Sequence, residues 1–82
     1  MSNLEVRGVP LATIERLNLE RTISLVRYQD DGAVDRFGYL ESLGADHGVD
    51  FETVLTLADV LGPEEDFDGL VTSLEDFAAG AL

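Results

Sequence analysis

The sequence predicts a mainly α-helical protein that ends in an antiparallel helix hairpin. Apolar residues recur at helical spacing through the last third of the chain, and the pair Gly62-Pro63 divides that pattern in two. The chain of 82 residues has room for one modest core, and its apolar content of 45% is normal for a globular fold. We therefore expect residues 1–82 to form a single domain.

The N-terminal segment predicts an extended arm followed by a helix. Apolar and charged side chains alternate before Gly8 and Pro10, so residues 1–9 are expected to form an arm or a short strand. Pro10 suits the first position of a helix. Apolar residues at spacing three then predict a helix from about 10 to 18, and these residues are Leu11, Ile14 and Leu17.

Two interpretations fit the next segment. The turn Asp30-Asp31-Gly32 follows a stretch rich in strand formers, which permits a β-hairpin of 22–28 with 33–40 and hence an α+β alternative. The apolar residues after the turn fit helical spacing better, and they favour a helix that ends at Gly44. Residues 45–49 are then expected to form a loop.

The C-terminal third predicts two helices, at 50–61 and 63–79. Asp50 has the chemistry of an N-cap, and Gly62 is expected to end the first helix. Acidic residues follow Pro63, where the positive end of the helix dipole favours them. The predicted core residues of the two helices are Phe51, Val54, Leu55, Ala58, Leu61, Phe67, Leu70, Leu74 and Phe77.

Charge is the most informative feature of the composition. The formal net charge is −12, and it divides into +1 for residues 1–29 and −13 for residues 30–82. All five basic residues are arginine. A salt-loving host is one explanation for such acidity. Because adaptation to salt would be expected to coat both halves, the asymmetry favours a directed acidic surface.

Catalysis and direct nucleic-acid binding are not expected. The chain has no cysteine, its single histidine, His47, is predicted in a loop, and no serine lies in a nucleophile elbow. We predict no catalytic residue, no cofactor and no dedicated metal site, since no set of oxygen ligands has calcium-loop spacing. DNA or RNA binding would need a basic surface, which the acidic half does not supply.

The expected partner is a protein with a basic surface. We expect this partner to bind nucleic acid, because carboxylates along helices can imitate phosphates. Small phage-encoded inhibitors, including anti-CRISPR and anti-restriction proteins, are similar in size and charge. The candidate binding residues are Asp46, Asp50, Glu64, Glu65, Asp66 and Asp68. No signal peptide and no apolar stretch of roughly 20 residues is evident, so a cytoplasmic, non-membrane protein is expected.

Two other functions are compatible with the pattern. An assembly module would form an oligomer through apolar helix faces, with Leu57, Val60 and Leu82 as candidates. The segment 49–62 also resembles the fourth-helix segment of phage-repressor-type helix-turn-helix domains, over 14 of 82 residues. That resemblance implies an acidic regulator derived from such a domain. It concerns helix packing, since acids stand where those domains carry basic side chains.

Overall fold

The computed structural model describes residues 5–80. Over this range the chain is mainly helical, with five α-helices, a short 3₁₀ turn and one two-stranded antiparallel sheet. The elements are β1 (Glu5–Val6), β2 (Val9–Pro10), α1 (Leu11–Leu19), α2 (Leu25–Asp30), α3 (Arg36–His47), α4 (Phe51–Leu61), the 3₁₀ turn (Pro63–Glu65) and α5 (Gly69–Ala78). None of the helices in this range has the length and apolar character that crossing a bilayer requires.

The predicted N-terminal strand is one half of a small hairpin. Glu5 lies opposite Pro10 and Val6 opposite Val9, and the two-residue turn between them has positive φ at Arg7 (52°) and Gly8 (82°). Positive φ at both central residues matches the right-handed twist of the strands. Leu4, which also belongs to the predicted arm, lies outside the described residues.

The helical interpretation of the middle segment is confirmed, and the alternative hairpin of 22–28 with 33–40 does not form. Ser24 accepts a hydrogen bond from the Val26 amide at the start of α2, and Asp35 accepts one from Gly38 at the start of α3. Tyr28 is buried while Val26 is exposed, an arrangement that helical spacing allows and that alternating strand positions would not. In this segment the helix caps and the helical spacing of the apolar residues therefore outweigh the strand propensity of the individual residues.

Gly44 does not end α3, as the sequence predicted; the helix continues through the expected loop to His47. Gly44 is buried, and a Cβ at this position would lie 2.7 Å from the Val49 carbonyl oxygen and 3.3 Å from a methyl group of Val54. Gly48 ends the helix instead, in the left-handed region at φ 68°. Gly44 is thus a packing glycine that allows the start of α4 to approach α3.

The predicted single helix over 63–79 is also wrong in its first turns. The 3₁₀ turn is followed by a further turn over residues 66–68, and α5 begins only at Gly69. The carbonyl of Asp66 accepts a hydrogen bond from the Tyr39 hydroxyl at 2.8 Å. The side chain of Asp66 points into the core. These tertiary contacts fix the chain in a turn where local sequence favours helix.

The helix hairpin is confirmed as antiparallel. Asp50, at the start of α4, and Phe77, near the end of α5, line the same groove. Asp50 caps α4 by accepting a hydrogen bond from the Thr53 amide, as predicted, and Gly62 follows its last residue. The hairpin packs against α3, and α3 also packs against α1.

The core includes most of the predicted C-terminal residues. Val54, Ala58, Leu70 and Leu74 are fully buried. A second set is partly buried against them, namely Phe51, Leu55, Leu61 and Phe67. Phe77 is the exception, since 43% of it is exposed. It lies one residue before the end of α5, where the hairpin leaves an open groove.

Candidate functional site

One of the six candidate residues, Asp66, is buried inside the protein. It is 0% exposed, and its carboxylate accepts hydrogen bonds from Arg36 Nε at 2.7 Å and from the Tyr28 hydroxyl at 2.7 Å. Arg36 is 1% exposed and also donates to the Leu17 carbonyl oxygen. Asp66 therefore stabilises the fold and is not available to a partner, because its lone pairs are already engaged inside the protein.

The surroundings of Asp66 shift the pKa values of its neighbours. Burial, with the hydrogen bond and negative charge of Asp66, raises the pKa of Tyr28 well above its usual range, and burial and nearby carboxylates do the same for Tyr39. Burial alone would lower the pKa of Arg36, but its hydrogen bond and ion pair with Asp66 prevail and raise it. Tyr28, Tyr39 and Arg36 thus keep their protons, which suits a structural network.

The remaining ion pairs engage most of the basic side chains. Arg7 pairs with Glu41, Arg27 with Asp31, and Arg16 with both Glu20 and Asp59. With Arg36–Asp66, the pairs found within residues 5–80 involve four of the five arginines and five of the seventeen acids. Arg21 donates to the Ile23 carbonyl oxygen. The other twelve carboxylates have no arginine partner among the described residues, so the surface is strongly negative.

Three candidates lie around the link between α4 and α5, which we call the linker end: Glu64, Glu65 and Asp68. All three are exposed. Glu65 accepts a hydrogen bond from the Gly69 amide at 3.2 Å. Asp68 precedes α5 but makes no capping hydrogen bond through its side chain. None of these three carboxylates lines the groove of about 460 Å³ that Gly62 and Pro63 form with α1 and the end of α4.

The other two candidates, Asp46 and Asp50, lie where α3 passes into α4. We call the opposite end of the hairpin, formed by the first turn of α4 and the last turn of α5, the open end. Asp50 is exposed there, and Asp46 is exposed in the last turn of α3. The structure therefore does not bring the six predicted residues together: it divides the exposed ones between two ends and buries the sixth.

Several residues that sequence analysis did not select belong to the open end. Glu52 lines the grooves on both sides of α4, while Glu75, Asp76 and Phe77 lie in the last turns of α5. The sequence did contain a signal for two of these residues. Acids near a helix C-terminus oppose the negative end of the dipole, so Glu75 and Asp76 are unfavourable there for helix stability. Antiparallel pairing of the two helices then places them at the end that also carries Asp50.

Two grooves flank the first turns of α4. The larger, of about 760 Å³, lies between α4 and the β1–β2 hairpin and includes Arg7 and Phe51. The smaller, of about 310 Å³, lies between α4 and α5 and includes Leu57 and Phe77. Asp50, Glu52 and Thr56 line both. The start of α4 is thus an acidic ridge between two partly apolar grooves.

The structure also locates the residues that were considered for catalysis, metal binding and assembly. His47 is partly buried as the last residue of α3, not in a loop. Among residues 5–80, no three His, Asp or Glu side chains converge as metal ligands would. Of the apolar residues considered for assembly, Leu57 is partly buried, Val60 is 77% exposed, and Leu82 lies outside the described residues.

Comparison with known proteins does not assign the chain to a family. No protein-family model, no curated protein and no solved structure matches it. Its function must therefore be inferred from its own geometry and charge.

Proposed function

We propose that the protein is a small, cytoplasmic, non-catalytic module that occupies a basic, nucleic-acid-binding surface of a partner protein. The observation that supports this proposal is the difference between its basic and its acidic side chains. The arginines are largely engaged in ion pairs, whereas twelve carboxylates have no arginine partner within residues 5–80. A surface of one sign attracts an oppositely charged partner over a distance and accelerates association.

The placement of these carboxylates supports a macromolecular partner. Exposed acids lie at both ends of the α4–α5 hairpin, and α4 spans 11 residues, which corresponds to roughly 16 Å of helix at 1.5 Å per residue. A basic groove that holds nucleic acid offers cationic side chains over such a length. A compact small-molecule pocket does not.

We further propose that the protein acts like small phage-encoded inhibitors, such as anti-CRISPR and anti-restriction proteins that mimic DNA. The acidity and the small size of the chain support this analogy. The direct expectation is displacement of nucleic acid from a basic partner.

The proposal is tested by capture from a lysate of the native host with the tagged protein as bait, at low and high salt. We expect a captured protein, identified by mass spectrometry, that binds nucleic acid and is released by about 0.5 M potassium chloride, where screening shortens electrostatic attraction to a few ångströms. The purified partner should then lose its bound double-stranded DNA or RNA when the acidic protein is added.

Two results would contradict the proposal. One is a partner whose capture is insensitive to salt and whose nucleic-acid binding is unaffected by the acidic protein. The other is stable self-association in sedimentation experiments with no captured partner, which would instead support the assembly module. For that case Val60→Ser is the appropriate variant, since Val60 is the most exposed of the described apolar candidates.

A further inference from the structure

The groove between α4 and α5 combines an aromatic ring with carboxylates and contains no basic residue. Its lining consists of Asp50, Glu52, Thr53, Thr56, Leu57 and Phe77. Phe77 is 43% exposed, although phenylalanine is among the residue types most often found buried. Both carboxylates are exposed, and no arginine pairs with them within residues 5–80.

The same combination occurs twice elsewhere in the molecule, and each time an arginine occupies it. Arg27 lies over the ring of Phe67, with Cζ 4.0 Å from the ring centroid, and pairs with Asp31 at 3.2 Å. Arg7 lies 5.7 Å from the ring centroid of Phe37, and its Nε is 2.8 Å from Glu41 Oε2.

These two arrangements show one way in which a guanidinium is held in this protein. The planar cation stacks on an aromatic face while its N–H groups donate to a carboxylate.

The end of α5 adds an independent preference for a cation. The last turn of α5, like that of α4, has no basic residue, whereas α1, α2 and α3 have Arg16, Arg27 and His47 in theirs. The free carbonyl groups at a helix C-terminus favour positive charge. Glu75 and Asp76 increase the negative potential there at a cost to helix stability. A cation from outside the chain would offset that cost.

We propose that the α4–α5 groove binds an arginine side chain of the partner, with the guanidinium stacked on Phe77 and hydrogen-bonded to Asp50 and Glu52. The inference rests on the proposed function and deepens it, since it names the part of the surface and the side chain of the partner that meet. Arginine is preferred over lysine because a planar, weakly hydrated guanidinium stacks on the ring and donates as a fork, whereas a compact ammonium is strongly hydrated and acts as a point charge.

The test compares two synthetic peptides, nona-arginine and nona-lysine, which have the same length and charge. Binding to the wild-type protein is measured by isothermal titration calorimetry at fixed ionic strength, and the contact residues are located by NMR. We expect nona-arginine to bind more tightly and to shift the ring signals of Phe77. Phe77→Leu should weaken nona-arginine binding by roughly two- to five-fold, the usual value of an exposed cation–π contact, and should weaken nona-lysine binding less.

Two control variants make the result specific. Phe77→Tyr keeps the aromatic face and should retain the preference for arginine. Glu64→Gln/Glu65→Gln/Asp68→Asn removes three charges at the linker end, so it should weaken both peptides equally without changing their ratio. Asp50→Asn/Glu52→Gln should reduce the ratio of nona-arginine affinity to nona-lysine affinity. This variant retains the helix cap because asparagine caps as well as aspartate does.

The proposal is overturned if the two peptides bind wild type equally, or if Phe77→Leu changes neither affinity. It is also overturned if neither peptide binds. If a partner were nevertheless captured from the lysate in a salt-sensitive manner, the proposed function would stand. The contact with that partner would then lie elsewhere on the surface. Failure of the capture experiment together with a clear arginine preference would show the reverse, namely an arginine site without the proposed inhibitory role.

Discussion

Arg36 and Asp66, which are 30 positions apart in the chain, form an ion pair that is withdrawn from solvent. Nε of Arg36 lies 2.7 Å from Oδ2 of Asp66, and Nη2 donates to Oδ1 at 3.2 Å. The pair ties the start of α3 to the turn before α5. Every buried polar side-chain atom in residues 5–80 has a hydrogen-bond partner, so the network is fully satisfied.

Breaking this pair should be more damaging than replacing it. Asp66→Asn leaves the buried charge of Arg36 with only the longer contact to the half-exposed Glu20, at 3.7 Å, and we expect a loss of about 3–5 kcal/mol in the free energy of unfolding, a large part of the stability of so small a domain. The double variant Arg36→Met/Asp66→Leu should lose less, since it leaves no isolated charge and costs only the hydrogen bond from the Tyr28 hydroxyl. Urea unfolding followed by circular dichroism measures both. Equal losses in the single and double variants would contradict the role of the pair.

Alkaline pH should unfold the protein through Tyr28 and Tyr39. Burial raises the pKa of both hydroxyls above the usual value near 10, so the folded state keeps two protons that the unfolded chain releases. Their contribution is fully present below about pH 10 and is lost as the pH rises beyond it, at about 1.4 kcal/mol per pH unit for each tyrosine.

Urea titrations between about pH 9 and 11.5 measure this slope. Tyr39→Phe removes one of the two titrating groups and should halve the slope, although it also lowers stability by about 1 kcal/mol through loss of the hydrogen bond to Asp66. A slope unchanged by Tyr39→Phe would show that other groups cause the alkaline transition.

Gly44→Ala should destabilise the protein despite the higher helix propensity of alanine. The new Cβ would meet the Val49 carbonyl oxygen at 2.7 Å, and that atom belongs to backbone that cannot move freely. We expect a net loss of about 1–3 kcal/mol. Gly38→Ala in the same helix is the matched control, because its Cβ would lie 3.3 Å or more from side-chain atoms only. A thermal melt in which Gly44→Ala is as stable as Gly38→Ala would refute the packing role.

Moderate salt should raise the melting temperature. The net charge of −12 leaves exposed carboxylates repelling one another, and potassium chloride between about 0.02 and 0.3 M shortens the range of that repulsion from roughly 20 to 6 Å. Sodium chloride should act equally, which separates screening from binding of a particular cation. A steady fall in melting temperature would mean that the surface pairs, such as Arg7–Glu41, outweigh the repulsion.

The sequence-based predictions were wrong about which residues are buried or exposed wherever a residue far away in the chain determines the local structure. Nothing near Asp66 in sequence distinguishes it from Glu64, Glu65 and Asp68, and all four suit a helix start. Only the approach of α3 supplies Arg36 and Tyr39, which draw the side chain inward and engage its carbonyl group. The division of the candidate acids between two ends likewise follows from the antiparallel path of the chain.

The sequence by itself determined the helical class, the caps at Asp50 and Gly62, most of the buried face of α4 and α5, and the strong acidity of the C-terminal part. These features depend on periodicity, capping chemistry and composition, which act over a few residues. Only the tertiary structure decided that Gly44 lies inside a helix, that Asp66 is buried, and that Phe77 shares a groove with Asp50. Each of these depends on contact between elements far apart in the chain, where packing outweighs local preference.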